Sequence, residues 1–306
     1  MGLALVAALG RVNVGRLLAA AALGGGVAGV AYWRRALTLD GAVAAAVVGG
    51  LVFFSGGLPA AASLLAFFGS SSALSRVGQS RKASGPLAQA KGARRDAWQV
   101  LANGGVATVC ISLRQRPAFV GSLAAAAADT WATELGMLAG RRPRLITTLE
   151  AVEAGTSGGI TPEGLAAGIG GAVVVGLAWS VFGGHGAGVP EALIAGASGS
   201  LVDSVLGGTL QALYRCEACG AVSEEPHHRS CGQPARLVRG HLWITNDTVN
   251  ALATLAGATI ASVLCWRPNA AGHVRGGGLT CAAAPAGGVG VCVWSLNFHN
   301  RSASTR

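Results

Sequence analysis

The chain has 306 residues, of which 51% are hydrophobic and only 12% charged, with 48 glycines and a formal net charge of +10. Soluble domains carry about 25% charged residues, so composition excludes an ordinary soluble enzyme, and glycine at this density suits close helix contacts in lipid. With no base-reading motif or aromatic-basic platform beside it, the positive charge reads as loop basicity that orients a membrane protein, and nucleic acid is not an expected partner.

Apolar segments run over 17–33, 37–56, 58–74, 98–113, 117–139, 165–182, 189–213 and 248–266. Several are shorter than the ~20 residues a span prefers, so the expected fold is an all-α, polytopic transmembrane helix bundle of about six to eight spans. Gly56-Gly57 and Pro59 predict a tight, partly re-entrant hairpin between the second and third segments. Alternating the segments places Arg34, Arg35, Arg76, Arg81, Lys82, Lys91, Arg94, Arg95, Arg141, Arg142, Arg144, Arg215, Arg229, Arg236 and Arg239 on one side, and Arg114 and Arg116 on the other. That asymmetry assigns the first set to the cytoplasmic face or its organellar equivalent. Residues 1–36, basic before the first acid Asp40, are expected to be a first span or a targeting segment. Residues 37–266 form the main membrane domain, and 267–306 a Gly/Ala-rich tail, either disordered or an artefact of the gene model.

In chain order, Lys82, Lys91, Arg94 and Arg95 precede Asp96. Such side chains bind the phosphates of a lipid or nucleotide; equally, a juxtamembrane basic segment only sets orientation against anionic headgroups. Asn103 follows just inside the next span. The run Ala127-Ala128-Asp129-Thr130-Trp131-Ala132-Thr133-Glu134-Leu135-Gly136 then sets two acids inside an apolar stretch. A carboxylate at bilayer depth costs several kcal/mol unless paired, protonated or metal-bound, which makes intramembrane acids functional by default. Gly155-Thr156-Ser157-Gly158-Gly159 follows. Such a turn can aim backbone N–H groups at an anion ahead of a helix N-terminus, although it lacks the lysine of a nucleotide-binding loop and an ordinary connection has the same composition. Asp203 is again a carboxylate in an apolar helix, and Asn246-Asp247-Thr248-Val249-Asn250 opens the last span, with Asp247 a possible cap. Together Asp129, Glu134, Asp203, Asp247 and Asn250 offer oxygen ligands from three helices, a set that suits Mg²⁺ bridging to substrate phosphates.

The remaining cluster is cysteine-based. Cys216-Glu217-Ala218-Cys219 is followed by His228 and Cys231, a Cys₃His set of the right type for a structural tetrahedral Zn²⁺ on a small cytoplasmic-side or stromal-side loop (215–240). Its rivals are redox thiols and metal-free cysteines, and His227 can replace His228.

With these residues in view, the chain resembles the transmembrane protein 19 family, which includes the plant phytyl-phosphate kinase. The resemblance covers about residues 37–266. It is carried by Lys91-Gly92-Ala93-Arg94-Arg95-Asp96-Ala97-Trp98-Gln99-Val100-Leu101-Ala102-Asn103-Gly104-Gly105, Ala128–Gly136, Pro143-Arg144-Leu145-Ile146-Thr147 with Gly155–Gly159, Gly199-Ser200-Leu201-Val202-Asp203-Ser204, and Asn246–Asn250. Relatives commonly have Asn where this chain has Ser157, and the cysteine loop belongs to only some branches.

The resemblance implies an integral membrane kinase that phosphorylates an isoprenoid monophosphate to the diphosphate, with ATP or CTP and Mg²⁺. In plants that route leads from phytol to tocopherol. On this expectation Asp129, Glu134, Asp203, Asp247 and Asn250 serve the reacting centre. Lys91, Arg94, Arg95 and Asn103, with Gly155, Thr156, Gly158 and Gly159, bind the phosphates, and Cys216, Cys219, His228 and Cys231 hold zinc. The bilayer and an isoprenoid-phosphate lipid are the expected partners, in a plastid membrane or a bacterial inner membrane. The competing reading is a transporter or flippase for an isoprenoid phosphate or another anionic lipid. It predicts polar residues through the whole membrane depth and broken helices in repeated halves, whereas the polar residues here gather toward one face.

Overall fold

The computed structural model describes residues 14–78, 94–228 and 231–266, together with the backbone of two short strands at 279–281 and 292–294. Seven helices dominate: α1 (Val14–Trp33), α2 (Leu39–Arg76), α3 (Ala97–Ser112), α4 (Arg116–Leu138), α5 (Pro162–Val181), α6 (Val189–Thr209) and α7 (Asn246–Leu264). Five of them, α1, α2, α5, α6 and α7, are long and apolar enough to cross a membrane. α3 has only 16 residues, and α4 carries Arg116, Asp129 and Glu134.

α2 is two helical arms, 39–56 and 58–76, broken at Gly57, whose φ of 68° and ψ of −152° are open to glycine and strained for other residues. The arms fold back on each other. Arg76 at the end of the second donates to the carbonyl of Arg34, just ahead of the first, at 2.8 Å, and residues of both arms line one cavity. This is the hairpin that Gly56-Gly57 and Pro59 predict. Counting the arms separately, the chain alternates so that the α1–α2, α2–α3, α4–α5 and α6–α7 connections fall on one side, the side on which the basic loops were placed.

On that side the starts of α2 and α3 are knitted together. Thr38 N–H donates to Arg95 O and Arg95 N–H to Ala36 O, both at 3.0 Å, which is a one-residue parallel bridge between Leu37 and Arg95. The Asp40 carboxylate accepts from Ala97 N–H at 3.1 Å, and Asp96 caps its own helix through Gln99 N–H at 2.9 Å. Each acid satisfies a backbone donor that the first helical turn leaves over.

α4 is the central post. Every residue from 118 to 128 is buried, and the alanines there leave room for neighbouring backbones to approach. Gly257 of α7 lies against Gly121 O, Gly171 of α5 against Ala127 O, and Gly199 of α6 against Ala125 and Ala253 O. In lipid such packing replaces the hydrophobic drive that water supplies. Toward the far side the large side chains close the core, with Phe119 and Trp179 rings 5.6 Å apart.

Two small sheets decorate the basic side. β1 (Arg144–Leu145) pairs antiparallel with β2 (Gly159–Ile160). Between α6 and α7 the expected cysteine loop is a sheet, with β3 (Leu213–Cys216), β4 (Val222–Ser223), β5 (His227–His228) and β6 (Gln233–Arg239) in the order β4-β3-β6-β5. After Trp266, in a unit separate from the helices, the described strands are β7 (Leu279–Cys281) and β8 (Cys292–Trp294), which pair antiparallel.

Candidate functional site

The glycine contacts determine what meets one turn further toward the basic side. With Ala125 beside Gly199 and Gly257, the next turns of α4 and α6 bring Asp129 and Asp203 to one level, and both line a single cleft with Asn246 at the start of α7. The cleft encloses about 790 Å³, its open mouth included, and Thr133, Ser200, Ser204 and Thr161 add hydroxyls to its wall. Thr161 is itself fixed as the N-cap of α5, accepting from Gly164 N–H at 3.0 Å.

The roof of the cleft is the glycine turn, and Gly155, Thr156, Ser157, Gly158 and Gly159 all line it. Gly155 and Gly158 take positive φ, 89° and 85°. Gly158 is also pressed against Gly208 and Ser204 O, so a Cβ there has no room. The turn is anchored by Ile146 N–H donating to Gly158 O at 2.9 Å. Two of its amides are engaged internally, Thr156 N–H to Glu153 O at 3.1 Å and Gly159 N–H to Thr156 O at 2.9 Å. Those of Gly155, Ser157 and Gly158 have no backbone partner among the described residues and are the ones open to an anion.

The structure separates residues that the sequence grouped. Glu134 is absent from the wall of this cleft. Five residues from Asp129, it points about 140° away round the helix and accepts from Ser75 Oγ at 2.5 Å. It stands beside Arg95, whose guanidinium lies over the Phe67 and Phe68 rings at 6.0 and 5.7 Å. Burial there pulls the Arg95 pKa down, and the Glu134 charge opposes the shift. Arg94 gives both Nε and Nη2 to Leu37 O, at 3.2 and 3.0 Å, and covers Tyr32, which makes it a brace of the α1–α2 corner. Asn103 donates to Gln99 O at 3.0 Å. With Arg95 and Gln99 it forms the polar edge of a second cavity of about 780 Å³, otherwise lined by apolar residues of α1, both α2 arms and α3. Asp247 and Asn250 sit in the first turns of α7 and are not among the cleft-lining residues. Lys91 lies outside the described residues. Asn246, which the sequence placed in the same block without counting it among the ligands, is the member of that block that reaches the cleft.

In the inserted sheet the Cys216, Cys219, His228 and Cys231 ligand atoms all lie within 4.8 Å of one another. Cys216 and Cys231 Sγ are 3.4 Å apart, Cys219 Sγ is 3.3 Å from His228 Nδ1, and His228 Nδ1 is 3.0 Å from Cys231 Sγ. Tetrahedral coordination at about 2.3 Å from sulfur and about 2.0 Å from nitrogen needs edges of roughly 3.5–3.8 Å, so the four groups fit one such ion after shifts of up to about 1 Å. Donation from Cys219 and Ala218 N–H lowers the Cys216 thiol to about 6. At Cys231 the Gln233 N–H also pulls downward, but the neighbouring Cys216 and Cys219 sulfurs outweigh it and raise that thiol. A cation bound here would replace the protons of these thiols, because cysteine ligates as the thiolate.

The sheet also touches the glycine turn. Ser157 Oγ donates to the Glu224 carboxylate and accepts from Gln211 Nε2 at 3.0 Å. Arg239, at the end of β6, donates to Gly207 O at 2.9 Å.

Comparison with known proteins agrees with this architecture. Protein PGR of Arabidopsis thaliana is 31% identical over 281 residues, covering 81% of this chain and 96% of that protein. An uncharacterized membrane protein of Methanocaldococcus jannaschii is 34% identical over 154 residues, 48% of this chain and 63% of its own. Another from Synechocystis sp. is 28% identical over 213 residues, 65% and 70% of the two chains. No solved structure matches. The family model for the integral membrane protein DUF92, of the transmembrane protein 19 type, matches residues 22–258, and the chain belongs to that family.

Proposed function

We propose that this protein is a membrane-embedded kinase that transfers a phosphoryl group from a nucleoside triphosphate to an isoprenoid monophosphate. The observation that carries the reading is the cleft in which Asp129 and Asp203, from two different helices, face a glycine turn with unengaged amides. Phosphoryl transfer needs positioning and neutralisation of charge more than covalent help from the protein. The two carboxylates are suited to Mg²⁺, which binds through one or two carboxylates plus substrate phosphates. The Ser157 and Gly158 amides are suited to the donor phosphates. A phosphate monoester is already nucleophilic near neutral pH, so no dedicated base is required. The apolar cavity between α1, α2 and α3, with Arg95 and Asn103 at its edge, supports a lipid acceptor whose chain is sheltered and whose head meets a cation. The Cys₃His cluster is assigned to structural Zn²⁺, with all four positions filled by protein. The basic side is then cytoplasmic or stromal, where nucleotides are available.

The test is a transfer assay on detergent-purified protein with Mg²⁺, labelled ATP or CTP, and farnesyl, geranylgeranyl or phytyl monophosphate. Labelled diphosphate from wild type, lost in both Asp129→Asn and Asp203→Asn, is the expected result. Absence of product with every donor–acceptor pair, from folded protein, overturns the kinase reading, and full activity in either variant removes that carboxylate from the reacting centre.

A further inference from the structure

The inserted sheet is more than a neighbour of the cleft. Glu224 follows β4 and lies, in the chain, between the ligands Cys219 and His228. Its carboxylate accepts a hydrogen bond from the Ser157 hydroxyl, while buried Gln211 gives that hydroxyl its second hydrogen bond. The Ser157 side chain is therefore fixed in both its donor and its acceptor role. Arg239 ties the other end of the same sheet to the last turn of α6 through Gly207 O, next to the Gly208 backbone on which Gly158 rests. The Glu224 charge offsets part of the burial cost of Arg239, so the two bridges also lean on each other.

What holds the sheet is scant. Its strands are two to seven residues long, and of their residues only Tyr214, Cys216 and Ser223 are buried. Units this small rarely fold on apolar burial alone and use metals or disulfides as staples. The Cys₃His cluster joins the end of β3, the turn after it and β5, which are the pieces that flank Glu224. We infer that Glu224, Gln211 and Arg239 are positioning residues through which metal in the Cys216–Cys231 cluster holds the glycine turn in its anion-receiving shape. The inference deepens the reading of the cleft as a phosphate site and rests on it only for the identity of the anion.

Amide hydrogen exchange of residues 155–159 in the full-length protein, without nucleotide, tests the coupling directly. Stripping the metal with a chelator, Cys219→Ser and Glu224→Ala should each speed exchange of this segment about tenfold, the factor that goes with one charge-assisted hydrogen bond. Exchange in α4 and α5 should be unchanged. Glu224→Ala must retain its metal, measured by elemental analysis, and Glu224→Ala combined with Ser157→Ala should add little to either single change, as expected for one shared contact. Unaltered exchange at 155–159 in Glu224→Ala or after metal removal overturns the inference. Should Cys219→Ser fail to fold, Glu224→Ala, which leaves all four ligands in place, still decides. Mg–ATP or Mg–CTP binding, measured separately, then speaks to the kinase reading: normal coupling without nucleotide binding would sink that reading and leave the link between sheet and turn standing.

Discussion

Replacing Gly257 by alanine tests whether backbone contact at α4 holds the bundle together and sets the geometry of the cleft. A Cβ at Gly257 would lie 2.5 Å from the carbonyl oxygen of Gly121 and 2.7 Å from the Ala125 methyl, against ordinary contact from 3.4 Å. The obstructing atom is backbone, which cannot swing aside, so α4 and α7 must part by about 0.9 Å. Overpacking of this kind costs roughly 1–3 kcal/mol, and the better helix propensity of alanine returns about 0.5–1 kcal/mol. Taking the middle of each range leaves a net loss of about 1 kcal/mol, which lowers the midpoint of thermal unfolding in detergent by roughly 2–4 °C. The matched control is Gly26→Ala on α1, where nothing lies within 4 Å of the added carbon; the same chemical change there leaves the midpoint unchanged or raises it. The shift also moves the start of α7, and hence Asn246, relative to Asp129. A misplacement of about 1 Å can cost 10²-fold in rate, so under the proposed kinase reading any transfer activity in Gly257→Ala should fall by more than its stability accounts for. A Gly257→Ala protein as stable as Gly26→Ala would refute the argument that glycine contact at α4 organises the bundle.

Two further substitutions separate the roles of neighbouring residues. Gly158→Ala combines a positive φ with a Cβ driven into the backbone of Gly208, and left-handed backbone alone costs about 1–2 kcal/mol for such a residue; Mg–nucleotide binding, followed by calorimetry, should be lost while helical circular dichroism is kept, and retained binding would remove the turn from the site. Glu134→Gln should do the reverse. It weakens the Ser75 and Arg95 contacts, a loss of about 1–3 kcal/mol seen in thermal unfolding, but leaves nucleotide affinity close to wild type, and a large loss of affinity would return Glu134 to the cleft.

Much of this was legible in the residues. Helix starts are marked by Thr38, Asp96 and Thr161, each of which accepts from the backbone as an N-cap, and Gly57 with Pro59 marks the break in α2; at α7 the cap is Thr245 and not Asp247, which lies inside the first turn. The acids of α4 were conspicuous because their surroundings are alanine. Their helical phase was overlooked: Glu134 shares a face with Trp131, three residues back, and Trp131 faces the second arm of α2 through Ser70. The sheet around the cysteines was hidden for a different reason. Three of its strands have only two to four residues, too few to show an alternating pattern, and in the seven-residue strand Gln233–Arg239 the alternation is between half-buried and exposed positions and involves Gln, Pro and Arg rather than an apolar face. The bridge from Glu224 to Ser157 spans 67 residues, and no local rule of sequence points to a pairing at that range.

The insertion leaves and rejoins the bundle at a single spot. Gln211 bridges His241, His241 N–H reaches Leu210 O at 3.0 Å, and Ala212 N–H reaches Ile244 O at 2.9 Å. Seen from the membrane, the whole sheet occupies the place of a short turn between α6 and α7, so its length need not alter how the two helices are joined. A family member built without it must steady its glycine turn by some other means.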